Sequence, residues 1–174
     1  MFDLINGLPV HPLVVHAVAV LLPMAVIGAI ALVVRPQWRV TFGPLLIAIT
    51  AVGTVLIPVA TSSGEKLEER VGDPAYGHAE KGEQLIWFAL PLLIFTVALV
   101  LLERRKAAAA DAESPATASA LPTWLPIAVA AAVVVFAAAT AVQVYRVGDS
   151  GAKSVWKGEV SSSSGAQPAD GDDD

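Results

Sequence analysis

The chain has 174 residues, of which 55% are hydrophobic and only 16% charged, and its mean hydropathy is +0.65, which excludes an ordinary soluble domain of this size and points to a membrane protein. With no cysteine, disulfides, thiolate-bound zinc, iron–sulfur clusters and c-type haem attached through C-x-x-C-H are all excluded. The net charge of -5 is spread over loops and an acidic end, so no basic surface suggests a nucleic-acid partner.

In chain order, the opening "MFDLINGLPVHPL" has no basic residue before the apolar run, and the run is longer than a signal-peptide core, so the first span is expected to remain in the mature protein. His11 precedes Pro12, and proline suits a first helical turn, so a helix is expected to start at Pro12 with His11 just outside it. Four uncharged stretches follow, at Leu13–Val34, Val40–Ser62, Gln84–Leu102 and Leu125–Tyr145. Each has about the 20 residues needed to cross roughly 30 Å of hydrocarbon. Pro23 and Pro91 lie inside spans, where kinks are expected.

The connection between spans two and three, "SGEKLEERVGDPAYGHAEKGE", reads as a polar loop. Ser62 and Glu65 have capping-box spacing, which predicts a separate surface helix over 65–70, and a second helical start near Gly77–Glu83 leads into span three. "RRKAAAADAESPATASALP" reads as a flexible linker before span four. After Tyr145, "RVGDSGAKSVWKGEV" carries turn signals, and residues 158–174 form an acidic tail of disordered composition. The expectation is an all-α integral membrane four-helix bundle over residues 1–157 with short loops, followed by that tail. Trp38, Trp124 and Trp156 read as interfacial anchors, and Trp87 as an anchor or packing residue.

Four spans put both termini and the loop between spans two and three on one membrane face. Span one has no Lys or Arg before it and Arg35 and Arg39 just after it, while span three exits into Arg104, Arg105 and Lys106. That local bias places both termini on the extracytoplasmic side of the cell membrane. His11, His16 and His78 therefore share a face, with Glu80 and Asp149 nearby in the chain. Neutral imidazoles with carboxylates suit a divalent transition metal, and two imidazoles from different helices suit a b-type haem. His16, one turn inside a span, is a functional candidate because burying an ionisable group in a bilayer is expensive. The alternative is that it is neutral, bonded to a backbone carbonyl or to Glu80, and packs helix one against helix three.

The segments "GLPVHPLVVHAVAVLLP", "TSSGEKLEERVG", "HAEKGE" and "GDSGAKSVW" resemble the four-span membrane proteins of domain of unknown function family 2231, over about residues 5–157. The family's motif residues fall on His11, His16, Ser63, Gly64, His78 and Glu80. Some members are fused to Rieske or cytochrome modules, so the resemblance implies a haem or metal role. Relatives often carry histidine where this chain has Asp149, and aspartate is a poor ligand for haem iron.

No nucleophile–base–orienter set or nucleotide-binding glycine loop is present, so catalysis by this chain alone is disfavoured. The function expected is a redox or electron-transfer accessory of a membrane complex, with His16 and His78 as ligands to haem or metal. His11 is a further candidate ligand, and Ser63, Glu80 and Asp149 are candidate supporting groups. One alternative is a structural or assembly subunit with histidines in helix packing; another is a small metal or proton conduit.

Overall fold

The computed structural model describes the backbone of residues 4–5, 8–71, 77–111 and 122–163. A two-residue antiparallel pair, β1 (Leu4–Ile5) with β2 (Leu8–Pro9), leads into α1 (Val10–Val34). A single 3-10 turn at Pro36–Trp38 connects α1 to α2 (Arg39–Val71). Then come α3 (His78–Gln84), α4 (Ile86–Asp111) and α5 (Trp124–Ser163). Four of these helices are long and apolar enough to cross a membrane, as the uncharged runs predict. They form an all-α bundle in which α1 and α4 each pack against both α2 and α5.

Four boundaries differ from the sequence expectation, each for a local reason. Helix α1 begins at Val10, so His11 lies inside its first turn. Pro12 is then the third helical residue, whose N–H would have had no intrahelical partner anyway. Helix α2 runs without a break to Val71, so there is no capping box at Ser62; the Ser63 hydroxyl instead donates to the Ala60 carbonyl at 3.0 Å, within the helix. Helix α4 continues through the basic triplet to Asp111, because Arg, Lys and Ala are strong helix formers and no breaker intervenes. Helix α5 likewise continues past Tyr145 through Gly148 and Gly151, where turns were expected. Residues 112–121 of the linker and 164–174 of the tail lie outside the described residues.

Between α3 and α4 the path changes at Leu85, whose N–H bonds to the Gly82 carbonyl at 3.2 Å before the α-helical pattern resumes with Ala89 bonding to Leu85 at 3.0 Å. Gly77, ahead of α3, adopts φ 61°, a left-handed conformation that glycine reaches without steric cost. Buried Gln143 on α5 donates to the Lys81 carbonyl at 2.9 Å and so ties α3 to α5.

The interior has two apolar clusters. Val18, Leu22, Ile57, Leu85 and Ala89 lie toward the histidine end. A larger cluster built around Leu32, Leu46, Leu92, Leu99 and Val133 fills the rest, with Phe95 stacked on Phe136 at 5.4 Å between centroids. Lipid tails are as apolar as leucine, so helix association in a bilayer rests on close contact rather than on escape from water. Glycine supplies that closeness: a Cβ on Gly28 would come within 2.5 Å of Leu46, and one on Gly53 within 3.1 Å of Leu22.

At the end away from the histidines, Arg39 is 8% exposed and holds three elements together. Its Nε donates to the Leu32 carbonyl at 2.8 Å, one Nη to Val33 at 3.3 Å and the other to Glu103 on α4 at 3.1 Å. The first two are carbonyls at the C-terminus of α1, which have no intrahelical donor and carry the negative end of the helix dipole.

Two hydroxyls, Thr96 and Thr140, are buried with no partner among the described residues. A buried hydroxyl without a hydrogen bond costs about 1–3 kcal/mol. Thr96→Val and Thr140→Val keep the shape and remove the orphan, and each is expected to raise the unfolding midpoint by an amount equivalent to about 1 kcal/mol. Thermal unfolding in mild detergent checks this; a lowered midpoint would mean that the hydroxyl holds a water or another group.

Candidate functional site

The described histidines separate into two kinds. His11 and His78 are half-buried between helices, whereas His16 lies on the exposed side of α1. His11 Nδ1 sits 2.9 Å from the Ala60 carbonyl and 3.3 Å from Ser63 Oγ, both on α2. His78 Nδ1 sits 3.2 Å from the Val147 carbonyl and 3.2 Å from Ser150 Oγ, both on α5. A carbonyl has no proton to give, so each neutral ring carries its hydrogen on Nδ1 and donates it. The serine completes each clasp: Ser63 donates to Ala60, and Ser150 donates to Val147, both at 3.0 Å.

A glycine makes room for each ring. A Cβ on Gly64 would lie 3.0 Å from His11 Cε1, and one on Gly151 would lie 3.0 Å from His78 Cε1. Glycine permits this close approach, although helix propensity alone disfavours it by about 1 kcal/mol. With Nδ1–H committed to a carbonyl, the electron pair on Nε2 is left as the ring's basic site. Metal-ligating histidines commonly have this arrangement, because a carbonyl on the far nitrogen fixes tautomer and orientation.

His16 Nδ1 donates to the Pro12 carbonyl one turn earlier on the same helix. The backbone-carbonyl bond expected for it is therefore present, but within α1, and the ring faces away from the bundle interior. The bond between helices is made by His11 instead, and it runs to α2 rather than to the third span. Glu80 is exposed on α3 and accepts from Gln84 at 3.3 Å, while Asp149 pairs with Lys153 at 2.7 Å along α5. Both carboxylates are thus engaged with neighbours on their own helix. Among the described residues, no group of three or more His, Asp or Glu side chains is placed to hold a metal ion.

Ser150, Gly151 and the carbonyls of Ala60 and Val147 were not singled out from sequence. The available signal was the recurrence of S-G-x-K, as "SGEK" after span two and "SGAK" after span four. Of the tryptophans, Trp38, Trp87 and Trp124 are all exposed on the outside of the bundle, where anchors belong. The side chain of Trp156 lies outside the described residues.

Replacing His16 by alanine is expected to move the thermal midpoint by no more than about 0.5 kcal/mol equivalent, as for an exposed surface change. His11→Ala removes an interhelical bond and leaves a void beside Gly64, at a cost of about 1–2 kcal/mol. Parallel melts of the two variants check the order; an equal or larger effect at His16 would contradict the placement.

No curated protein and no solved structure matches the chain. A family model matches residues 7–164, nearly the whole apolar and helical part. The chain is a multi-pass membrane protein and belongs to the family described as "Predicted membrane protein (DUF2231)".

Proposed function

We propose that the protein is a redox accessory of the cell membrane that holds a haem or transition-metal centre through imidazole nitrogens at its histidine face. The observation that carries this reading is the Nδ1 commitment of His11 and His78, which leaves two Nε2 electron pairs at the same end of the bundle. Two imidazoles are enough for a b-type haem, whereas a zinc-type centre with three or four protein ligands finds no matching group among the described residues. When bound, such a group supplies a one-electron couple, and the chain's own part is to fix the imidazoles and shield them among apolar helices. Because His16 faces outward, His11 replaces it in the preferred pair with His78.

The favoured orientation has both termini outside, on the basic residues that follow α1 and close α4. Since the chain lacks cysteine, a Gly148→Cys variant gives a single label site, expected to react with a membrane-impermeant maleimide from the outer side of intact cells.

A second reading is favoured by the glycine-cradled rings: the two clasps serve as helix staples in a structural or assembly subunit. Protein purified in mild detergent from its native host separates the readings by absorption spectrum and elemental analysis. A Soret band or a stoichiometric transition metal supports the redox accessory. Colourless, metal-free protein supports the staple.

A further inference from the structure

Exposed aromatic residues at the two ends of the bundle show how deep its charges lie. Phe95 stacks on Phe136, and eight residues toward the histidine end on each helix Trp87 comes level with Val144, beside Tyr145. At the other end, five residues beyond the contact of Gly43 with Val100, Trp38 comes level with Arg105. Twelve residues beyond the stacked rings, Trp124 comes level with Ala107. Trp38, Trp87, Trp124 and Tyr145 are all exposed on the outside, as belts at the two headgroup levels should be. The 18 residues from Trp87 to Arg105 rise about 27 Å along α4, close to the roughly 30 Å of a bilayer's hydrocarbon. Arg104, Arg105 and Lys106 therefore lie at the depth of the lipid phosphates. So does Arg35, whose carbonyl accepts from the Trp38 N–H at 2.9 Å.

These residues belong to one rim because Arg39 joins the elements that carry them. Its guanidinium holds the Leu32 and Val33 carbonyls, just before Arg35, and the Glu103 carboxylate, next to Arg104. Arg104 also follows Val100 by one turn, on the row of α4 that meets Gly43 of α2. Glu103 is already engaged: one oxygen is 3.1 Å from Arg39 and the other 3.9 Å from Lys106. Arg35, Arg104 and Arg105 are exposed and, among the described residues, have no carboxylate partner. Asp111 and Glu113 follow in the connection to α5, and with both counted the two segments still hold five basic residues to three acidic. The acidic end of the chain comes after α5, on the histidine side of the bilayer, so it does not supply the missing anions.

We infer that this rim is a binding surface for anionic phospholipid, whose headgroup phosphates meet the guanidinium groups of Arg35, Arg104 and Arg105. A guanidinium presents a planar fork that fits two phosphate oxygens and stays charged at any physiological pH. Just inside the belt, exposed Phe42, Leu45 and Leu101 offer the acyl chains an apolar wall on α2 and α4. A zwitterionic lipid also carries phosphate, but a basic rim repels its ammonium, so the surface selects lipids of net negative charge. In the favoured orientation the rim faces the cytoplasmic leaflet, whose anionic lipids attract basic segments at span ends. The inference is independent of the histidine face and of any centre held there.

The test uses the full chain in lipid nanodiscs and the quenching of tryptophan fluorescence by lipids brominated in their acyl chains. Trp87→Phe/Trp124→Phe/Trp156→Phe leaves Trp38 as reporter of the rim, and Trp38→Phe/Trp124→Phe/Trp156→Phe leaves Trp87 as reporter of the opposite interface. Brominated phosphatidylglycerol is expected to be favoured over brominated phosphatidylcholine by at least about threefold beside Trp38, and by about onefold, with no preference, beside Trp87. Arg104→Gln/Arg105→Gln/Lys106→Gln in the Trp38 background is expected to bring the ratio near one. About 1 M salt is expected to do the same with the rim unaltered, since it screens charges beyond about 3 Å. Equal quenching by the two lipids at Trp38 overturns the inference. A preference at Trp87 as large as that at Trp38 also overturns it, because the selection would then belong to the whole protein surface. So does a preference that survives both the triple substitution and the salt.

Discussion

Arg39→Ala is expected to lower the stability of the detergent-solubilised protein by about 3 kcal/mol, near the lower end for breaking a buried ion pair by removing one partner. The substitution leaves two C-terminal carbonyls of α1 without their donor. Among the described residues, Glu103, whose side chain is 22% exposed, then keeps the solvent-exposed Lys106 at 3.9 Å. Arg39→Lys is expected to fall between wild type and alanine, because an ammonium keeps the charge but cannot present the planar fork that reaches α1 and α4 together. The double variant Arg39→Ala/Glu103→Ala is expected to recover part of the loss, since it removes the abandoned carboxylate. A loss below about 0.5 kcal/mol for Arg39→Ala, in the range of ordinary surface substitutions, would contradict this role.

Gly43→Val is the second large effect expected. A Cβ at Gly43 would meet the two methyl carbons of Val100 at 2.6 and 2.7 Å, and Val100 is 1% exposed with core on every side. Valine on a helix is stiff about its first torsion, so Val100 cannot swing clear. Helices α2 and α4 must move apart instead. Overpacking of this kind costs about 1–3 kcal/mol, and the branched substituent belongs at the upper end. Gly148 is the built-in comparison, because nothing lies within 4 Å of a Cβ there. Gly148→Ala is expected to be neutral or to stabilise by up to about 1 kcal/mol through helix propensity. Unfolding midpoints measured side by side check the contrast; equal effects at the two glycines would refute the close approach of α2 and α4.

The four spans were legible because charge-free runs of membrane length are unambiguous in a chain whose polar residues cluster between them. The shared face of the three histidines followed from span count alone. Which histidine turns inward was not legible. Helix α1 is apolar on every side, so its sequence has no polar stripe to mark the outer face, and a lone His16 within it reads as buried. The extensions of α2 and α5 beyond the spans were missed because Ser, Gly and Asp are turn formers in isolation. In the folded chain Ser63 and Ser150 bond within their helices, and Gly64 and Gly151 accept imidazole rings. Arg39 was counted only toward orientation, since nothing in "RPQWR" announces a partner 64 residues away.

The measurement closest to the central claim is metal and haem content, with the absorption spectrum, of four proteins purified from the native host: wild type, His11→Ala, His78→Ala and His16→Ala. One centre per chain is expected in wild type and in His16→Ala, and its loss in both His11→Ala and His78→Ala. A wild-type protein without any centre, or a centre that survives removal of His11 or of His78, would contradict it.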